Sequence, residues 1–362
     1  MLDRRLLFVT GKGGVGKTSV ASALGMLAAR RGLRTLVCEV DPKGDLSDFL
    51  GTGALRFAPT EVRENLHAMS MDTEESLREY LRLQLKVPLL AKLGPLARTF
   101  DFIANAAPGV KEILTVGKLT WEVRERHYDL VVVDASATGH VVGQLASPVA
   151  INELVKVGLV RNQTDWMIDI LTDPATTGVV VVTVPEEMPV VETLELIDRL
   201  GNETQIDVAS VVVNRVLPEG LGGDWMEGWR RTQAEHLASI EDDFAPLPVL
   251  RAEHAGGEVL GVEALTRFAD DLWGGTDPAE RLVRSRPLQL ARDGEQHVLS
   301  IELPFTDRSE LDLTRTGDEL SITVGPHRRN LVLPDSLRRR EITSARMVGG
   351  RLQVTFEVPE AG

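Results

Sequence analysis

A glycine-rich stretch near the start of the chain constrains its fold more than any other feature. The residues GKGGVGKT, at 11–18, match the pattern G-x-x-x-x-G-K-[ST]. In this pattern backbone N–H groups converge on phosphate oxygens, a lysine reaches the β- and γ-phosphates, and a hydroxyl ligates magnesium. An apolar run, LLFVT, precedes the loop, and a helical pattern follows it from about Thr18 to Arg30. The sequence therefore predicts a phosphate-binding loop between a buried strand and a helix whose dipole favours an anion.

The loop supplies most of an expected nucleotide site. We expect Lys17 to reach the phosphates and the Thr18 hydroxyl to ligate the metal, so the expected ligands are ATP and Mg²⁺. The loop residues expected to bind nucleotide are Gly13, Gly14, Val15, Gly16, Lys17, Thr18 and Ser19. A second lysine, Lys12, stands where phosphate binding alone does not require one. Taken by itself, Lys12 could be a solvated loop charge.

Strand and helix patterns alternate over the first two thirds of the chain. Near-continuous β-branched runs, YDLVVVDAS, GVVVVTVP and VASVVVNRV, are typical of a parallel sheet covered on both faces. The helical patterns between strands predict an α/β fold with crossover helices, among them a helix in EEMPVVETLELIDRLG that Gly201 should end. We therefore expect a P-loop NTPase domain over residues 1–275, with a mostly parallel sheet and a helical insertion.

Two unusually apolar helical stretches interrupt this alternation, at about residues 73–127 and 145–175. They could form one helical subdomain. A large apolar surface on a protein usually marks an interaction site. The alternative is that these helices simply pack on the core or on each other.

The character of the chain changes near residue 275. Glycine, proline and charged residues over 276–286 predict a linker. Residues 287–362 consist of short strand patterns with polar turns, including a hairpin around Gly317 and Asp318. The sequence predicts a separate all-β sandwich there.

Composition argues against several function classes. The formal net charge of −14 argues against binding to nucleic acid, which requires a basic face. The single cysteine, Cys38, excludes an intrachain disulfide and a CxxC zinc site, and its apolar neighbours predict a buried thiol. The seven histidines form no ligand-spaced pair. Because the sequence has neither a signal-peptide pattern nor an apolar run of about 18 residues, we expect a cytoplasmic location.

The loop sequence resembles the deviant phosphate-binding loop of one ATPase family. That family includes the arsenite-efflux ATPase, the tail-anchored-protein targeting ATPase, the nitrogenase iron protein and the Min and Par ATPases. The resemblance implies that Lys12 is catalytic and reaches across a homodimer to the partner's nucleotide. A lysine supplied in this way would act like an arginine finger, because phosphoryl transfer needs positive charge where negative charge develops.

Two further stretches resemble the switch segments of the arsenite and tail-anchored ATPases. VDPKGDLSDFLG is similar to D-P-A-H-x-L-S-D-x-F, which implies that Asp41 orients the attacking water and that Pro42 belongs to the first switch. Lys43 and Gly44 depart from the Ala-His of that segment. VVVDASATGHVV is similar to D-T-A-P-T-G-H, which implies that Asp134 holds magnesium through water. The other expected residues of the second switch are Thr138, Gly139 and His140.

Two later stretches also resemble the family. VVVNRV has Asn214 where the family's asparagine reads the adenine edge, and an amide can both donate and accept hydrogen bonds there. VPEEMPVVETLELIDRL is similar to V-P-E-x-x-x-x-x-E-T-x-R, with Glu192 and Thr193 in place and Glu195 at the position of the arginine. Together these motifs cover about residues 1–275.

Resemblance also bears on the apolar helices and on the β domain. The stretch ANAAPGVKEILTVGKL is similar to a P-G-x-x-E segment of the targeting ATPases, whose helical insertion forms a client groove. The residues expected to face a client are Leu89, Leu90, Leu93 and Leu96. The stretch ARMVGGRLQVTF resembles the small heat-shock (alpha-crystallin) signature A-x-x-x-x-G-x-L-x-V. The residues that match it are Ala345, Gly350, Leu352 and Val354.

The resemblance implies an ATP-hydrolysing homodimer that opens and closes around nucleotide to bind and release a hydrophobic client, such as an apolar protein segment. A membrane receptor or pump is a possible further partner. Two alternatives stay open: the ATPase subunit of an arsenite or anion efflux pump, and a nucleotide-gated holdase with negligible turnover. Family members that bind zinc, metalloid or an iron–sulfur cluster use several cysteines, and Cys38 alone cannot supply those sites.

Overall fold

The structure, a computed structural model, divides into two compact units, Met1–Leu282 and Val283–Gly362. It describes residues 1–41, 45–85, 109–155, 157–220, 223–245, 247–273, 278, 288–293, 296–302, 311–317, 319–324, 327–333, 337, 340–348 and 351–357. Pro42, Gly350, most of the expected linker and all four leucines expected to face a client lie outside the described residues.

The first unit is built on one eight-stranded sheet. Its strands are β1 (Leu6–Gly11), β2 (Thr35–Glu39), β3 (Thr60–Arg63), β4 (Leu66–Ser70), β5 (Leu130–Asp134), β6 (Thr177–Thr183), β7 (Val208–Val216) and β8 (Val249–Glu253). Their order is β3-β4-β2-β5-β1-β6-β7-β8, and every pair is parallel except β3 with β4. The predicted mostly parallel sheet is confirmed. The β3–β4 hairpin was not predicted, although Asn65, at φ 62°, supplies the left-handed turn residue that such a hairpin needs.

Helices connect these strands and cover both faces of the sheet. They are α1 (Lys17–Arg30), α2 (Asp45–Leu50), α3 (Thr73–Leu85), α4 (Val110–Arg124), α5 (Thr138–Leu154), α6 (Leu159–Thr172), α7 (Glu187–Arg199), α8 (Asp224–Asp243) and α9 (Gly261–Trp273). The expectation that Gly201 ends α7 is wrong. The helix passes into a π-helical turn, Leu200–Thr204, and Gln205 takes the left-handed conformation instead, at φ 58°.

Alternate residues of the central strand serve two different cores. Leu7 and Val9 of β1 pack into one cluster together with residues of α1 and α9, and Leu6 and Phe8 pack into a second with residues of α4 and α5. This is the two-residue period of a strand buried on both faces. The strand that precedes the phosphate-binding loop therefore packs against a core on each face and pairs with β5 and β6 along its two edges.

The second unit consists of two antiparallel sheets. Its strands are β9 (Leu288–Asp293), β10 (Gln296–Glu302), β11 (Leu311–Thr316), β12 (Glu319–Val324), β13 (His327–Val332), β14 (Glu341–Val348) and β15 (Arg351–Glu357). One sheet has the order β14-β15-β10-β9 and the other β11-β12-β13. Leu299, Ile322 and Leu352, from both sheets, share one core, so the predicted β sandwich is confirmed. The predicted hairpin at Gly317 joins β11 to β12.

Candidate functional site

The phosphate-binding loop lies at the edge of the sheet where parallel strands end. It follows β1, which pairs with β5 on one side and β6 on the other. After β1 the chain adds strands on one side of it as far as β5, and from β6 onward it adds strands on the other side. Open α/β sheets bind ligands at such a reversal, in a crevice outside the carboxyl ends of the strands. The order of the strands in the sheet is therefore sufficient to form the crevice.

Glycines shape the loop in two different ways. Gly16 has φ 95°, and a Cβ built on it would lie 2.3 Å from Asn214 Nδ2, so no larger residue fits at that position. Gly13 and Gly14 are exposed, and a Cβ on either would meet nothing within 4 Å. The loop is therefore packed against the protein at its base and open at its tip. Its N–H groups and the N-terminus of α1, which begins at Lys17, can face an anion.

The two loop lysines have different partners. Lys17 Nζ donates to the carbonyl oxygen of Lys12 at 3.2 Å, so it folds back over the loop. Lys12 Nζ instead forms an ion pair with Glu192 Oε1 of α7 at 2.6 Å. The sequence motif that includes Glu192 does not assign a role to this residue. No sequence pattern links two residues that lie 180 positions apart.

Thr18 and Asp134 meet at the base of the loop. The Thr18 hydroxyl donates to Asp134 Oδ2 at 2.7 Å, while Asp134 Oδ1 is buried without a hydrogen-bond partner. Burial raises the pKa of Asp134 to about 6, and the hydrogen bond from Thr18 and the charge of Lys17 oppose that shift. A hydroxyl and a buried carboxylate oxygen with spare acceptor capacity fit a hard cation such as Mg²⁺. Elsewhere in the described chain, no three or more His, Cys, Asp or Glu side chains gather into a metal-binding cluster.

The end of β2 carries a buried acid that sequence reasoning missed. Glu39 is 3% exposed, and its carboxylate accepts hydrogen bonds from the Leu46 N–H at 3.3 Å and from Ser70 Oγ at 3.1 Å. These bonds hold α2 and β4 at the carboxyl end of β2, where Asp41 lies partly exposed. An acid inside the apolar run TLVCEV was the available signal, because a buried carboxylate must find partners.

The second switch begins α5. Thr138, Gly139 and His140 form its first turn, with Gly139 and His140 exposed. The preceding segment is attached to β1, since Thr10 Oγ1 donates to the Ser136 carbonyl at 2.9 Å. The strand that leads into the phosphate loop and the segment that leads into α5 are thus directly hydrogen-bonded.

Asn214, near the end of β7, contacts the loop itself. Its Nδ2 donates to the Val15 carbonyl at 2.8 Å, and its Oδ1 accepts from the Arg215 N–H at 2.9 Å. The residue is buried. Each amide atom still has capacity for one more hydrogen bond.

The chain matches two protein-family models. The family model described as anion-transporting ATPase matches residues 4–165 and 157–274, well over half of the chain. The chain belongs to the anion-transporting ATPase family. A second model, an HSP20-like domain found in ArsA, matches residues 294–356. The predicted family, the ATPase activity and the small heat-shock resemblance are confirmed.

The sequence of this ATPase is similar to those of several named proteins. It is 28% identical to a putative arsenical pump-driving ATPase of Prosthecochloris vibrioformis, across 99% of this chain and 97% of the relative. It is 24% identical to putative arsenical pump-driving ATPase 1 of Aquifex aeolicus, across 95% and 97%. It is 31% identical to the ATPase BagA of Mycobacterium tuberculosis, across 60% and 66%.

The ATPase also has an apolar pocket away from the phosphate loop. Helices α3, α4, α5 and α6 enclose a cavity of about 250 Å³. Its lining includes Tyr80, Ile113, Trp121, Ile151 and Trp166. The adjoining surface is also apolar, with Leu154 82% exposed and Val157 83% exposed. Residues 86–108 of the first apolar stretch lie outside the described chain, and the described parts of the two stretches contribute the helices that line this pocket.

The single thiol and the helices of the ATPase have two further properties. Cys38 is buried in β2, and burial raises the pKa of its thiol, which keeps the thiol neutral. Among the helices that the structure describes, none has both the length and the apolar character needed to cross a bilayer.

Proposed function

We propose that this ATPase works as a homodimer whose opening and closing around nucleotide binds and releases a hydrophobic client. The observation that carries the proposal is the course of α5. The helix begins with the switch residues Thr138–His140 and contributes Ile151 to the apolar pocket. These points are 13 residues apart, or about 20 Å along a helix. A displacement of the switch can therefore reach the pocket through one continuous helix, which includes Pro148 three residues before Ile151.

In the proposed cycle, the loop N–H groups, Lys17 and Thr18 bind the phosphates of ATP, and Asp134 and Thr18 would hold Mg²⁺. When bound, the metal would supply positive charge that stabilises the phosphoryl group. Asp41 orients the attacking water, and Lys12 of the second copy adds positive charge where the leaving phosphate becomes negative. We also infer that Asn214 reads the adenine edge with the hydrogen-bonding capacity left after its contacts with Val15 and Arg215. Because ATP is the fuel, we place this cycle in the cytoplasm.

The proposed chemistry is tested at Asp41. Asp41→Asn should bind ATP as the wild type does, but turnover should fall by about 100-fold or more, because misplacing the nucleophile loses most of this catalysis. Steady-state phosphate release and equilibrium ATP binding measure the two quantities separately. Unchanged turnover would reject the assignment of Asp41, and negligible wild-type turnover would favour the holdase alternative.

The proposed client site is tested with prodan, a neutral apolar fluorophore. Prodan should bind saturably to the full chain, and Mg²⁺-ATP should change its fluorescence. Ile113→Asp should abolish the signal while ATP hydrolysis persists, because a buried charge is strongly unfavourable in an apolar pocket. The matched control is Leu260→Asp, since Leu260 is 41% exposed and does not line the pocket.

Two outcomes would favour simple core packing of these helices. One is a prodan signal that ATP does not affect. The other is loss of folding in Ile113→Asp, seen by circular dichroism, while Leu260→Asp folds normally.

The second candidate function is the ATPase subunit of an arsenical pump. The name of the Prosthecochloris relative, which aligns over nearly the whole chain, favours it. Trivalent arsenic binds soft thiolates, whereas the one thiol of this chain, Cys38, is buried and neutral. If this candidate is correct, arsenite should stimulate phosphate release, and Cys38→Ser should keep that stimulation because the buried thiol would not be the binding site. Our own expectation is that arsenite does not stimulate phosphate release.

A further inference from the structure

The ion pair between Lys12 and Glu192 lies outside the chemistry described so far. The two charged atoms are 2.6 Å apart, and the side chains are 34% and 30% exposed. The pair joins the tip of the phosphate loop to α7, an element that supplies no other group to the site. A half-exposed contact of this kind is reached by solvent and can exchange one partner for another.

The packing of α7 fixes the backbone from which Glu192 projects. Val190, Thr193 and Leu196 of the same helix are buried, at 6%, 1% and 2% exposure. Thr193 Oγ1 also donates to the Pro189 carbonyl at 2.8 Å. The backbone at Glu192 therefore has a set position beside the loop, and separation of the ion pair requires only that the two partly exposed side chains rotate apart.

We infer that Glu192 is a positioning residue that retains Lys12 on its own chain until a nucleotide-loaded second copy arrives. This inference rests on the proposed homodimer, in which Lys12 acts on the partner's nucleotide. A triphosphate carries several negative charges and outcompetes one carboxylate for an ammonium group. The ion pair thus stabilises the separated state and opposes closure until both nucleotides are bound.

The size of the effect follows from the exposure of the pair. Ion pairs this exposed contribute little, up to about 1 kcal/mol, which corresponds to about a fivefold change in an equilibrium constant. Removing the carboxylate should therefore tighten nucleotide-dependent association by up to about fivefold. It should not abolish turnover, because Glu192 does not touch the reacting atoms in this account.

Two measurements on the full chain test the inference. The first is acetylation of the Lys12 amine in nucleotide-free protein, read by mass spectrometry. Glu192→Gln should raise the labelling rate severalfold, because the amine loses its partner. The second is sedimentation of the same variant with Mg²⁺ and a non-hydrolysable ATP analogue, where the dimer should form at lower protein concentration. In a Lys12→Ala background, Glu192→Gln should change nothing.

Glu195→Gln is the matched control. Glu195 is exposed on the same helix, so this variant removes an equal charge without removing the contact with Lys12. It should leave both the Lys12 labelling rate and the association unchanged.

Each remaining outcome decides a different point. Unchanged Lys12 labelling in Glu192→Gln overturns the inference. Faster labelling with weaker association also overturns it, because Glu192 would then deliver the lysine rather than retain it. A wild type that stays monomeric with the analogue rejects the proposed homodimer, while the labelling still decides whether Glu192 holds Lys12.

Discussion

Asp134 carries a carboxyl group of the candidate site that lies almost entirely out of water. It is 8% exposed, and burial raises its pKa from 3.8 to about 6 in the nucleotide-free protein. The folded state therefore keeps this proton to a higher pH than the unfolded state does. The contribution of Asp134 to the free energy of unfolding must fall as pH rises between these two values.

This shift gives a measurable difference between two proteins. The free energy of unfolding of nucleotide-free wild type, minus that of Asp134→Asn, should decrease by up to about 3 kcal/mol as pH rises from about 4 to 7. The Thr18 hydroxyl can still donate to the amide oxygen of the variant. Urea unfolding at several pH values measures the difference, and a difference that does not vary with pH would contradict the burial argument.

The sequence predicted some contacts of the site and could not predict others. Asp134 ends β5 and the loop before Thr18 leaves the adjacent parallel strand β1, so the sheet and the loop motif together predict that the two residues are near each other. The Lys12–Glu192 pair depends on the rotation of α7 about its axis, and the Asn214 contact depends on a close approach that only Gly16 allows. A local sequence pattern predicts neither the rotation of α7 about its axis nor the distance between Gly16 and Asn214.

Helices and strands were predicted best where the spacing of their apolar residues was regular along the whole element. The buried strands and α1 agree with their patterns, because continuous apolar runs have few alternatives. The end of α7 was predicted wrongly because Gly201 is often a helix terminator but is tolerated within a π-helical turn. The β3–β4 hairpin was missed because β3 is short and mostly exposed, so it has little hydrophobic signal.

The connection between α5 and α6 is the element-scale feature that the proposed coupling requires. Asn152 Nδ2 donates to Thr164 Oγ1 at 2.8 Å and to Asp165 Oδ1 at 2.6 Å, while Arg161 Nη1 donates to the Asn152 carbonyl at 2.6 Å. Asn152 is 7% exposed. These bonds attach the pocket end of α5 to the helix that forms the opposite side of the pocket.

Loss of this attachment should separate the two activities. Asn152→Ala removes the two side-chain hydrogen bonds to Thr164 and Asp165 and keeps the bond from Arg161 to the backbone carbonyl, so it should destabilise the helix pair by about 1–3 kcal/mol. ATP hydrolysis should persist, while the response of bound prodan to ATP should largely disappear. Glu153→Ala, at the exposed neighbouring position, should retain the response. An unchanged prodan response in a folded Asn152→Ala protein would contradict coupling through α5.

At the scale of the whole molecule, the two compact units differ in whether they carry residues of the expected nucleotide site. The expected nucleotide-site residues all lie in Met1–Leu282, and Val283–Gly362 has its own core of buried side chains. A protein ending at Leu282 should therefore bind ATP with unchanged affinity, and an expressed 283–362 fragment should unfold cooperatively. Loss of ATP binding on truncation, or a fragment without a thermal transition, would show that the units depend on each other.

The homodimer with a lysine acting in trans is the central claim, and mixing two inactive variants tests it most directly. Lys12→Ala lacks the lysine that should act on the partner, and Asp41→Asn lacks the carboxylate that should act on its own nucleotide. Each variant alone should be inactive. In a mixed dimer, one site has an intact Asp41 and receives an intact Lys12 from the other chain.

Equal mixing should therefore restore about a quarter of wild-type phosphate release, because about half of the dimers are mixed and each has one working site. The recovery should disappear on dilution below the concentration at which dimers form. If the mixture stays as inactive as its separate components, although sedimentation shows mixed dimers, the account of trans catalysis by Lys12 is contradicted.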